Sequence, residues 1–126
     1  LISNKVKNIL LENGFTGWRE QKVEIYTKHK KQITGYSGLA VVGRCGPILN
    51  ELSVKKEVDP PVSFGNSYEA YLGLYFDEKT WDGSDIFSPE GKHNIFVTEE
   101  LKHILMKNNV SNIDFIPISD VENMML

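Results

Sequence analysis

The sequence predicts an α+β fold, a mixed, largely antiparallel sheet with two amphipathic helices packed mainly on one face. Three observations predict it. Apolar residues at helical spacing, with capping residues at both ends, occur at the start of the chain and again near its end. The two occurrences align at a fixed shift of 95 positions. Between them, short runs of alternating polarity are bounded by Gly, Pro, Asn and Asp, the pattern of strands and turns.

The first helix is expected to begin at Ser3, whose hydroxyl suits an N-cap, and to bury Val6, Ile9 and Leu10 before ending at Gly14 in the C′ position. Residues 18–27 have mixed polarity, with Val23 and Ile25 on one face, and suit an exposed strand. Lys28-His29-Lys30-Lys31 reads as a solvated basic turn. Residues 36–43 form a short apolar strand flanked by glycines. Residues 46–67, which include Pro60-Pro61, read as a loop with a local turn of helix. In residues 68–76, Tyr68, Ala70, Leu72, Leu74 and Phe76 share one strand face and Tyr71 and Tyr75 the other. Asp82-Gly83 and Ser88-Pro89-Glu90-Gly91 are turn signals.

The last unit is the clearest. Asn94-Ile95-Phe96-Val97 reads as a buried strand and Thr98 as an N-cap, with Glu99 and Glu100 in the first turn, where the helix dipole favours anions. Leu101, Ile104 and Leu105 make the apolar stripe, Asn108-Asn109 ends the helix, and residues 113–118 return as a strand. The expected C-terminal strand–helix–strand unit would pair its strands in parallel through a right-handed crossover. Under the shift, Leu1-Ile2-Ser3 falls on Phe96-Val97-Thr98, Val6, Ile9 and Leu10 on Leu101, Ile104 and Leu105, and Asn13 on Asn108. The first unit then lacks most of a leading strand. The expectation is one domain over residues 1–126 that lacks an upstream segment.

Composition bounds the function. With 126 residues, 40% hydrophobic and 25% charged, the chain has the make-up of a globular domain. No apolar run reaches the roughly 18–20 residues of a membrane span, and the opening residues lack the basic and apolar regions of a signal peptide. A single cysteine, Cys45, fits a reducing compartment, so a cytoplasmic location is expected. Charge is uneven: residues 1–57 hold 10 Lys/Arg against 5 Asp/Glu, and residues 58–126 hold 4 against 12. Such asymmetry steers association with an oppositely charged partner. No basic stripe alternates with aromatics, so nucleic acid is not the expected partner.

Candidates for chemistry are few. Cys45, in Gly43-Arg44-Cys45-Gly46-Pro47, is either a nucleophile of a small hydrolase or transferase, activated by Arg44 and one of His29, His93 or His103, or a buried small hydrophobe. Asp77, Asp82 and Asp85 suggest a cation loop, but the calcium-loop spacing is missing and Asp in turns usually accepts from backbone amides. One Cys and three scattered His do not make a zinc site, and no phosphate loop or nucleophile elbow is present. No metal or cofactor is therefore expected. Residues 77–100 hold seven acids against Lys79 and Lys92, with Trp81 in their midst. Glu78, Trp81, Asp82, Asp85 and Glu90 are accordingly the candidate partner-binding residues, an apolar anchor with a charged rim. In the alternative, Asp82 and Asp85 hold a turn and Trp81 packs over it.

Three segments together carry a resemblance. Tyr36-Ser37-Gly38-Leu39 leads into Gly43-Arg44-Cys45-Gly46; Tyr75-Phe76-Asp77 leads into Trp81-Asp82-Gly83-Ser84-Asp85; Phe96-Val97-Thr98 leads into the second helix and residues 113–117. In this order they resemble the double-CxxCG-motif family and related immunity proteins of bacterial polymorphic-toxin systems. The resemblance implies a non-enzymatic cytoplasmic protein that binds and neutralises a cognate toxin. The paired C-x-x-C-G motifs themselves are absent here, so no zinc site is carried over. A binding module of a larger protein is the other non-enzymatic expectation.

Overall fold

The computed structural model describes residues 1–58 and 68–124. The fold is α+β, and antiparallel pairing dominates. Strands β1 (Ile2–Ser3), β2 (Trp18–Gln21) and β5 (Tyr36–Val41) form a sheet in the order β1-β5-β2, both pairings antiparallel. Helix α1 (Asn4–Glu12) connects β1 to β2 across the central β5. A two-stranded ribbon of β3 (Ile25–Tyr26) and β4 (Gln32–Ile33) is inserted between β2 and β5. A second sheet has the order β10-β9-β6, from β6 (Gly43–Cys45), β9 (Ile86–Pro89) and β10 (Phe96–Val97). A third has the order β11-β8-β7, from β7 (Val54–Val58), β8 (Tyr68–Leu72) and β11 (Glu122–Met124). The β6–β9 pairing is parallel.

The two helical units match in detail. Ser3 Oγ accepts from the Val6 amide, and Thr98 Oγ1 accepts from the Leu101 amide at the start of α2 (Glu99–Lys107). At the other end Asn13 donates its side-chain amide to Ile9 O at 2.8 Å, and Asn108 does the same to Ile104 O at 2.7 Å. Gly14 (φ 65°) and Asn109 (φ 55°) then take the left-handed C′ conformation. Phe15 closes one motif on Leu10 O and Val110 the other on Leu105 O. These are the positions that the 95-residue shift superimposes.

Both apolar stripes enter one core. Val6, Ile9, Leu10 and Phe15 meet Leu101, Leu105 and Ile86 there, with Leu39 and Val41 of β5 packed against them. A smaller cluster joins Cys45, Leu74, Phe87 and Phe96. Its rings meet edge-on for Phe87 and Phe96, at 5.5 Å, and stacked for Phe76 and Phe96, at 5.8 Å.

Three expectations are corrected. Residues 113–118 form no strand: they do not pair with the outer edge of β10, and their end is drawn elsewhere, where Ile118 O accepts from the Leu74 amide at 2.8 Å and a 3₁₀ turn, Ile118–Asp120, begins. A strand does follow α2, but it is β11, paired antiparallel with β8. Residues 18–27 are not one strand; the chain leaves β5 after Gln21 to build the separate ribbon. The region read as a loop holds a 3₁₀ turn at Asn50–Leu52, as expected, but also the strand β7. Pro60-Pro61 lie outside the described residues.

Candidate functional site

The centre of the candidate site is β6, because both flanking segments carry predicted site residues. On one side Gly43, Arg44 and Cys45 pair with Phe87, Ser88 and Pro89 of β9. The Glu90 amide then donates to Cys45 O at 3.0 Å. On the other side, residues 80–82 act as a short irregular neighbour strand. The Arg44 amide donates to Asp82 Oδ2 at 2.9 Å, the Asp82 amide donates to Arg44 O at 3.1 Å, and the Gly46 amide donates to Thr80 Oγ1 at 2.8 Å. Gly43 is required by close approach: a Cβ there would overlap the Ile86 carbonyl oxygen and the Ser84 hydroxyl.

This arrangement divides the five predicted contact residues into two groups. Asp82 is bound into the turn, its Oδ1 accepting from both the amide and the hydroxyl of Ser84. The Ser84 hydroxyl is the main reason the Asp82 carboxyl lies below its usual range, with the amides of Ser84 and Arg44 acting in the same direction against the opposing effect of burial. Asp85 Oδ2 accepts from the Thr16 amide at 2.8 Å and from the Thr16 hydroxyl at 3.1 Å. Both carboxylates therefore hold backbone, as the alternative sequence expectation had it.

Trp81 joins the two groups. Its indole N–H donates to Ser84 O at 3.0 Å and its ring lies 5.4 Å from that of Phe87, yet 36% of the residue stays exposed. Its orientation is fixed while part of its surface stays available. Glu78 and Glu90 are exposed, and neither has an ion-pair or hydrogen-bond partner for its carboxylate among the described residues. Glu78 opens the 3₁₀ turn Glu78–Thr80, which Asp77 caps through the Lys79 amide. Thr80 anchors that turn to Gly46, and Glu90 is anchored to Cys45, so both acids stand at the C-terminal end of β6.

Cys45 is 3% exposed, and its thiol is pushed up by burial and then by the charge of Asp82. The Arg44 guanidinium Nη1 donates to Val41 O and Gly43 O, each at 2.8 Å, and not to the thiol. Cys45 and His93 do line the same open cavity of about 760 Å³. A thiol raised in this way is a poor nucleophile at neutral pH. Cys45→Ser is expected to cost about 1–3 kcal/mol, because it buries a hydroxyl in place of a weakly polar thiol. Native-state labelling by a disulfide reagent should be slow at pH 7; rapid stoichiometric labelling would revive the nucleophile. Among the described residues no three His, Cys, Asp or Glu side chains gather as metal ligands.

Sequence reasoning missed Thr16, Thr80 and Ser84. Asp82-Gly83-Ser84 carries a local signal, an Asp accepting from the amide two residues on. Thr16 carries none, since it lies 69 positions from Asp85. Among the described residues no helix is long and apolar enough to cross a membrane. Compared with protein-family models, with curated proteins and with solved structures, the chain finds no match.

Proposed function

We propose that this chain is an immunity protein of the bacterial cytoplasm, which neutralises a cognate toxin by binding it one-to-one through the face around β6. The observation that carries the proposal is a Trp81 held by Ser84 and Phe87 yet 36% exposed, in the same part of the fold as Glu78 and Glu90, whose carboxylates have no partner among the described residues. An interface anchor gains most when its rotamer is already fixed, because little side-chain entropy remains to be lost on docking. The surrounding acids favour encounter with a basic surface. Asp82 and Asp85 hold the backbone of this face, accepting from the amides of Arg44, Ser84 and Thr16. The three-segment resemblance supplies the biological setting, and the raised Cys45 thiol weighs against the thiol-enzyme alternative.

The toxin is to be sought in the open reading frame next to this gene, and association measured by stopped-flow tryptophan fluorescence in a Trp18→Phe background, which leaves Trp81 as the chain's own reporter. Glu78→Lys with Glu90→Lys is expected to slow association about tenfold or more at low salt, and the difference should shrink towards 1 M salt, where screening acts within about 3 Å. Wild-type association by this variant at low salt would remove the β6 face from the proposal.

A further inference from the structure

We infer that the β3–β4 ribbon is a second docking element, one that receives an acidic polypeptide segment. Its tip is Lys28-His29-Lys30-Lys31, with Lys22 at its base, and all five side chains are exposed. None of these lysines has an ion-pair partner among the described residues. Glu24, the one carboxylate within residues 22–33, accepts from the Tyr26 hydroxyl at 3.3 Å. The tip is also ordered: the Thr27 amide donates to Lys31 O at 2.7 Å, the Lys30 amide to Thr27 O at 2.9 Å, and the Lys31 amide to Thr27 Oγ1 at 3.1 Å.

That hydrogen-bond pattern is a three-residue hairpin loop whose last residue must be left-handed, a position at which Gly or Asn is preferred. Here Lys30 holds it, at φ 63°. A side chain kept where it strains the backbone points to a use for that side chain. Beside the cations, Ile33 is 40% exposed on one face of the ribbon and Tyr26 is 53% exposed on the other. Exposed apolar side chains next to the cations suit contact with a polypeptide wrapped on the ribbon, whereas a phosphate backbone would leave them uncovered. The net charge of −3 also sets the whole molecule against a long polyanion, while a short acidic segment meets only the tip.

The inference does not depend on the toxin proposal, and its test uses no toxin. A short labelled poly-L-glutamate peptide is titrated with the full chain at low salt, beside a short DNA hairpin duplex of equal charge. Poly-L-glutamate is expected to bind in preference to the duplex. The variant Lys28→Ser/Lys30→Gly/Lys31→Ser should weaken that binding by about tenfold, as loss of three charges from one contact implies. A control with the same charge loss elsewhere, Lys79→Ser/Lys92→Ser/Lys107→Ser, should change it less than about twofold. Lys30→Gly alone should melt at or above the wild-type temperature and still bind more weakly, which separates charge from folding. Equal losses in both triple variants, preference for the duplex, wild-type binding by Lys30→Gly, or no binding of poly-L-glutamate would each overturn the inference.

Discussion

Gly17→Ala is expected to lower the unfolding free energy by about 2–6 kcal/mol, a large share of the total for a domain of this size. Two costs combine. Gly17 sits at φ 93°, where an alanine is strained, and its Cβ would overlap the carbonyl oxygen of Ile86. The neighbours cannot yield, because the backbone there is bonded on every side. Gly17 O accepts from the amides of Val42 and Gly43 at 2.8 and 3.0 Å. Thr16 O accepts from the amides of Asp85 and Ile86 at 3.2 and 3.1 Å, and Asp85 O accepts from the Thr98 amide at 3.0 Å. This junction is where the end of the first helical unit meets the start of the second. Gly83→Ala is the control: its φ is 84°, but nothing lies within 4 Å of the added carbon, so only the backbone cost of about 1–3 kcal/mol applies. Urea unfolding of the two variants measures the difference. If Gly17→Ala were no more destabilised than Gly83→Ala, the close approach to Ile86 would carry none of the stability claimed for it.

What the sequence made legible were the local motifs. Ser3 and Thr98 cap, Asn13 and Asn108 close, and Val6, Ile9, Leu10, Leu101 and Leu105 are buried, because each role depends on neighbours within four or five positions. What stayed hidden was set by long-range competition. Residues 113–118 have the composition of a strand, but their end is held by the Leu74 amide, just past β8 and 44 positions away, rather than by the edge of β10. Val54-Lys55-Lys56-Glu57-Val58 is too polar to read as a strand, and becomes one because β8 offers a five-residue antiparallel partner. The same division runs through the candidate site. The Asp82 turn is local, whereas the hold of Asp85 on Thr16 and of Thr80 on Gly46 exists only after the chain has folded.

Leu10→Ala and Leu105→Ala are each expected to destabilise the protein by about 2–5 kcal/mol, and together by less than the sum of the two. The positions are equivalent under the 95-residue shift, and the two residues are 2% and 4% exposed. If each helix were buried in a core of its own unit, the losses would add, and each truncation would loosen its own half alone. Instead both side chains enter one cluster with Phe15, Ile86 and Leu101, and α1 packs directly on α2. A cavity opened by one truncation then lies among residues that can relax into the space left by the other. Hydrogen exchange resolves the same point by location. Leu105→Ala should accelerate exchange of the α1 amides about as much as those of α2, because neither helix keeps a core when the other leaves. Additive losses, with faster exchange confined to the truncated helix, would show instead two separately folding units that merely touch.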